Sequence, residues 1–234
     1  MIQEVILSVL QWLYNNLAFH NLFVAILLLT LAVRVVLFPL FYKSSKDQLV
    51  MRELSPKMEE IKTLYKDDRQ KQAEELMRLY KEHKLNPLSG ILILVVQLPI
   101  FIALFKVFRD SELLTSLFGD GSMFLGANLA LPSIVVSIVA AALQYVSGRM
   151  TEPGSKSGGS MAKFGKMMLY MMPFLTLFIL LKLPAALGVY WAVSTAFSIG
   201  QTLVIKRRLA YSKSRNGNAG VTQGDGGTYP PHGV

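Results

Sequence analysis

Apolar residues along this chain gather into long runs separated by short polar or basic stretches. The first run covers 20–42 and, from Leu22, reads LFVAILLLTLAVRVVLFPLFY, with Arg34 as its one charge. A helix that crosses a bilayer needs about 20 predominantly apolar residues, so this run predicts a transmembrane helix. Four more such runs follow, at 87–108, 131–148, 164–182 and 184–205. The last two are separated only by the region of Lys182-Leu183-Pro184, which leaves room for a tight hairpin and nothing else. Ahead of the first run, 1–19 carries Val5, Val9, Trp12, Leu13 and Leu17 among Gln3, Glu4, Gln11 and Asn15. It reads as an amphipathic helix lying at the membrane interface, with a further, poorly formed span as the alternative. It has neither the basic start nor the small-residue cleavage site of a signal peptide.

The stretch 43–86 breaks the apolar pattern. Leu54, Met58, Ile61 and Leu64 recur at helical spacing, as do Ala73, Leu76, Met77 and Tyr80, with Asp67-Asp68 between them as a turn. A two-helix hairpin outside the membrane is predicted, with Pro56 kinking the first helix or marking a new start. The segment 109–130, rich in Gly and Ser, reads as an extracytoplasmic loop. The linker 149–163 and the tail 206–234, Gly-rich from Asn216, read as cytoplasmic, the tail as disordered.

Charge settles the orientation. Of the 24 Lys and Arg, eleven lie between Lys43 and Lys84, four between Arg149 and Lys166, and five between Lys206 and Arg215. A net charge of +9 could serve nucleic acid, but here the basic clusters track the ends of apolar runs, which is the positive-inside pattern. Five spans with three basic segments on one side put the N-terminus outside and the C-terminus in the cytoplasm. There is no direct nucleic-acid readout to infer. The chain has no cysteine, which excludes disulfides and thiolate metal sites.

Candidate chemistry centres on Arg34. It lies about 20 Å of helix from Asn21 and about 12 Å from Tyr42, at 1.5 Å per residue, too deep for easy access to the far headgroups. An arginine at the centre of a span costs about 2.5–3.5 kcal/mol on insertion scales and faces a bundle interior or a watery cavity. No Asp or Glu lies inside any predicted span to neutralise it. Thr30 precedes it by one turn. Ser137 and Gln144 share a stripe on the third span, and Tyr190, Ser194, Ser198 and Gln201 share one on the fifth, with Trp191 alongside. With Gln97 on the second span, these groups could line a hydrated groove. The alternatives are an arginine acting as a fastener within the bundle and hydroxyls that simply tie helices together.

Several stretches, taken together in this order, resemble the YidC/Oxa1/Alb3 family of membrane protein insertases. They are TLAVRVVLFPL around Arg34, LSPKMEEIK in the hairpin, NPLSG followed by QLPIFIALF, and MMPFLTLFILLKLPAALGVYWAVST. The resemblance runs over about residues 10–210, and the chain departs from it at ILIL, 91–94, where many relatives carry a proline. It implies an all-α polytopic membrane protein: five transmembrane helices around a hydrophilic groove, a cytoplasmic two-helix hairpin and an N-terminal interfacial helix. It also implies the family's core without the extra N-terminal anchor and large periplasmic domain of Gram-negative members, in a bacterial plasma membrane.

By the same resemblance Arg34 is the groove arginine and Thr30 its neighbour. Gln97, Pro99 and Phe101 match the second core span, and Tyr190, Trp191 and Ser194 the last. The implied work is insertion of small or single-span membrane proteins, either independently of the Sec translocon or alongside it. The acidic N-terminal tails of nascent clients would enter the groove, and their apolar helices would leave along Leu98, Phe101, Met172 and Leu187 into lipid. The lipid bilayer, the Sec translocon and the ribosome are the further partners.

No catalytic residue, cofactor or metal is called for. There is no GxxxxGK[ST] loop, and His20, His83 and His232 lack metal-ligand spacing. An intramembrane protease would need paired aspartates, a Ser-His arrangement or HExxH within the spans, and none is present. A transporter or channel subunit for an anionic solute is the rival reading, though no repeat relates the two halves of the chain.

Overall fold

A computed structural model describes residues 2–86, 88–124, 126–151 and 160–221. Most of the predicted linker 149–163 and the end of the tail lie outside the described residues. The fold is helical throughout, apart from one two-residue ladder.

Helix α1 (Ile2–Asn16) is followed by α2 (Leu22–Val36), with Phe19 and His20 in the left-handed region making the turn between them. Asn21 caps α2 by accepting from the Val24 N–H at 3.2 Å. The expected unbroken helix over 20–42 is corrected here. Helix α2 stops at Leu37, and α3 (Phe38–Glu53) leaves it at 72°. The physical reason is Pro39, whose ring clashes with the carbonyl four residues back and which offers no N–H; it sits instead in the first turn of a new helix, where no N–H is needed. As a result α3 carries the chain well into the predicted hairpin region. The hairpin itself begins later, as α4 (Ser55–Leu64) and α5 (Arg69–Glu82).

Pro56 starts α4 rather than kinking it. Leu54, Met58 and Leu79 are buried together between the two helices, with Ile61, Leu76 and Tyr80 against them. Burial among these side chains raises the pKa of the Tyr80 phenol above its ordinary value, because the charged form loses water there. Asp68 caps α5 through the Lys71 N–H at 2.9 Å. Asp68→Ala should cost about 1 kcal/mol locally, read as a roughly fivefold loss of hydrogen-exchange protection in the first turn of α5, with α2 and α10 unaffected.

Helix α6 (Ser89–Arg109) carries Pro99 inside it. The expected Gly/Ser-rich loop 109–130 is instead a small folded lobe: α7 (Ser111–Phe118), a 3₁₀ turn (Gly119–Ser122), and β1 (Met123–Phe124) paired antiparallel with β2 (Ala127–Asn128). Asp110 caps α7 by accepting from the Leu113 N–H at 2.9 Å. Apolar spacing explains the difference, because Leu114, Phe118 and Leu129 are all buried against α1, α2 and α6. Tyr14 donates to the Phe118 carbonyl at 2.8 Å, and Phe23 stacks on Phe124 at 3.8 Å.

Helix α8 (Ile134–Thr151) and α9 (Ser160–Leu180) lead into α10 (Ala185–Val221). The turn at 181–184 is as short as expected. The first N–H groups of α10, from Ala185 and Ala186, find the Leu131 and Leu129 carbonyls at 2.8 and 2.9 Å, so two orphan donors of that helix end are satisfied by the 129–131 segment. At Gly188 a Cβ would stand 2.7 Å from Val136 Cγ1, which shows how closely α10 approaches α8. Helix α10 runs on to Val221, where disorder was expected from 206; Lys206, Arg207, Leu209 and Ala210 are strong helix formers that extend it past the apolar run.

The main core therefore lies at one end of the bundle. It joins Leu10 and Tyr14 of α1, Ile26 of α2, Phe108 of α6, and Ala186 and Leu187 of α10. Among the described residues, α8 and the 185–211 part of α10 are long and apolar enough to cross a membrane, and α2 with α3 qualifies as a bent pair.

Candidate functional site

Next to that core, and sharing Tyr190 with it, α2, α3, α6, α8 and α10 line a polar cavity of about 320 Å³. Helical periodicity supplies its walls. On α10 Tyr190, Ser194, Ser198 and Gln201 recur on one face, with Trp191, Thr195 and Thr202 beside them. Gln144, Ser147 and Thr151 do the same on α8, and Phe41, Ser45 and Gln48 on α3. Helix α6 adds Gln97, and α2 adds Arg34.

Arg34 is 8% exposed and lines the cavity. Its guanidinium lies over the Phe41 ring, 4.5 Å from the centroid, a cation–π contact across the bend at Leu37. Among the described residues no carboxylate pairs with it. A charge so placed is tolerable only where polar groups or water replace bulk solvation, and hydroxyls and amides are what this cavity offers. Its walls are joined by hydrogen bonds between helices. Gln97 Nε2 donates to the Tyr190 hydroxyl, Trp191 Nε1 to Gln144 Oε1 at 3.4 Å, and Gln201 Nε2 to Ser45 Oγ at 3.4 Å.

Of the residues expected here, Arg34, Gln97, Gln144, Tyr190, Trp191, Ser194, Ser198 and Gln201 come together. Thr30 and Ser137 do not line the cavity. Each is 1% exposed and turns its hydroxyl back onto its own helix, to the Ile26 carbonyl at 2.7 Å and the Ser133 carbonyl at 2.8 Å. Ser198 lines the cavity but also spends its proton on its own helix, at Ser194 O. Of the expected apolar exit, Leu98 is 47% exposed, Met172 is half-buried, and Phe101 packs edge-on against Trp191 at 5.7 Å. Leu187 is corrected: it is fully buried in the main core, because the first turn of α10 is pinned to the 129–131 segment.

Sequence reasoning missed Phe41, Ser45 and Gln48, since it ended the first span at Tyr42 and gave the following residues to an external hairpin. Their spacing at i, i+4 and i+7 on one helix face was the available signal. Ser147, Thr151 and Thr202 extend stripes already visible. Among the described residues no three His, Asp or Glu side chains gather as a metal site.

The family model described as "60Kd inner membrane protein" matches residues 12–213. The chain belongs to this family, the YidC/Oxa1 membrane protein insertases. It is 36% identical over 185 residues to the membrane protein insertase YidC of Clostridium tetani, covering 79% of this chain and 81% of that one. It is 34% identical to YidC 2 of Listeria innocua, over 84% of this chain and 68% of the relative. Against YidC of Wolinella succinogenes the identity is 34%, and the match spans 87% of this chain but 37% of that longer protein. A crystal structure of an active YidC insertase with its first transmembrane domain resolved superimposes with a TM-score of 0.63 at 30% identity, covering 86% of this chain and 45% of that one.

Proposed function

We propose that this insertase works through the polar cavity, with Arg34 receiving the acidic N-terminal tail of a client membrane protein. The observation that carries the reading is a buried arginine of α2, without a carboxylate partner among the described residues, on the wall of a cavity lined by hydroxyls and amides from four other helices. A client must bring a polar segment into hydrocarbon. Hydroxyls and amides that replace lost water lower that transfer cost, and attraction between Arg34 and client carboxylates strengthens as the effective dielectric falls. The client's apolar helix then moves past Leu98, Phe101 and Met172 into lipid, driven by burial of its own apolar surface.

In this reading the spans are 20–42 (bent at Leu37), 87–108, 131–148, 164–182 and 184–205. The basic clusters face the cytoplasm of a bacterial cell, and the main core with the 109–130 lobe closes the outer end. The chain inserts small clients alone and others beside the Sec translocon, and the hairpin 55–82 is the exposed element for docking partners such as the ribosome.

The test is reconstitution of the purified protein in liposomes, offered a single-span client with an acidic N-terminal tail. Protease protection of the tail well above that in empty liposomes is the expected result. Protection no better than in empty liposomes, or chloride flux without tail protection, overturns the reading, the latter in favour of an anion pathway.

A further inference from the structure

A second cavity, of about 440 Å³, lies between the C-terminal half of α3, the start of α4 and the part of α10 beyond the apolar run. It is separate from the groove in its residues. Its walls include Leu49, Pro56 and Leu209, and its polar members are Arg52, Lys206 and Glu53. Arg52 and Lys206 come from helices far apart in sequence and lie near enough to repel each other. Arg52 is partly held by donating from Nη1 to the Met150 carbonyl at 2.6 Å, a neutral acceptor that leaves its charge in place. Glu53 offsets one charge, while Arg207 and Arg208 add two more on the same stretch of α10, Arg208 lying 6.0 Å from the Tyr42 ring centroid.

Two cations lining one cleft that also carries apolar walls, where an apolar helix gives way to a basic one, match the chemistry of one ligand class. A phosphodiester would sit between the two cations and remove their repulsion. The glycerol and first acyl carbons would lie on Leu49, Pro56 and Leu209. A free phosphate would gain nothing from those apolar walls, whereas basic pockets between spans at the cytoplasmic surface suit anionic lipid headgroups.

We propose that the cleft between α3 and α10 binds one anionic phospholipid, its phosphate held by Arg52 and Lys206. The bound lipid ties the two helices at the mouth of the bundle. The site does not depend on Arg34 or on the groove reading, so failure of either leaves the other standing.

The experiment uses the full chain in detergent micelles, titrated with phosphatidylglycerol, phosphatidylcholine or inorganic phosphate, with bound lipid counted by native mass spectrometry. Wild type should hold one phosphatidylglycerol in preference to phosphatidylcholine. Lys206→Gln should weaken it about fivefold, and Arg52→Gln with Lys206→Gln further, while Arg207→Gln, outside the cleft, should have little effect. Because Arg52 also bonds to Met150, Lys206→Gln is the deciding variant if the double variant does not fold. Equal loss in Arg207→Gln indicates a diffuse basic surface and overturns the site. Equal binding of phosphatidylcholine, or displacement of the lipid by millimolar inorganic phosphate, overturns the lipid assignment.

Discussion

Replacing Arg34 by alanine should cut insertion of a client with an acidic tail by about tenfold or more, equivalent to roughly 1.4 kcal/mol, and leave a neutral-tailed client nearly unchanged. Arg34→Lys should keep much of the activity with acidic tails, since it keeps the charge while losing the planar fork and the stacking on Phe41. The same alanine variant has a second, opposite signature. A charged side chain at the middle of a span costs about 2.5–3.5 kcal/mol on insertion scales, and Arg34 has no carboxylate partner among the described residues to offset that cost. Thermal stability in detergent should therefore hold or rise when the charge is removed. A fastener would behave the other way, with stability falling and client selectivity unaffected. Protease protection of paired acidic and neutral clients, read beside the melting curve, separates the two roles in one set of variants.

Gly121→Ala should lower the melting temperature by about 2–10 °C, corresponding to roughly 1–3 kcal/mol of overpacking. Gly121 lies in the 3₁₀ turn of the 109–130 lobe, and a Cβ there would fall on the Tyr14 hydroxyl and the His20 carbonyl oxygen, well inside van der Waals contact. The hydroxyl cannot swing aside freely, because it donates to the Phe118 carbonyl and its ring lies edge-on to Phe118 at 4.8 Å. The His20 carbonyl is held in a turn of two left-handed residues. Relief requires moving the lobe away from α1. Gly119→Ala is the control: its φ of 47° strains any side chain, but a Cβ there meets nothing within 4 Å, so its effect should stay local to the turn. If Gly121→Ala melts like wild type, the contact between the lobe and α1 does not contribute to stability.

Much of the bundle could be read from periodicity. The apolar runs at 131–148 and 184–205 became α8 and the first part of α10, because a long segment without water must satisfy its backbone internally and the helix is the local way to do so. The turn at 181–184 followed from its length. The stripe Tyr190, Ser194, Ser198 and Gln201 became a cavity wall because residues three and four apart share a face. The break at Leu37 is signalled by Pro39, but hydropathy weighs composition and gives no weight to a missing N–H. The lobe was harder. Gly, Ser and Asp in 109–130 signal turns, and they do make the 3₁₀ turn and the β1–β2 link, but the fold of the segment depends on Leu114, Phe118 and Leu129 finding partners on α1, α2 and α6.

Composition, run length and charge placement were thus sufficient for the class of protein, most of its long helices, and the presence of an arginine with no carboxylate in its own span. These are properties of short stretches, decided by backbone hydrogen bonding, by the 3.6-residue repeat and by the cost of charge in hydrocarbon. Whether a given hydroxyl faces the cavity or its own helix was decided only by packing. Thr30 and Arg34 are one turn apart, yet Thr30 bonds to Ile26 O while Arg34 reaches the cavity and Phe41. Leu187 and Tyr190 are neighbours on α10 and both are buried in the main core, yet only Tyr190 also lines the polar cavity. The reason is physical: a helix fixes which residues share a face, while the helices packed against it determine which face meets water.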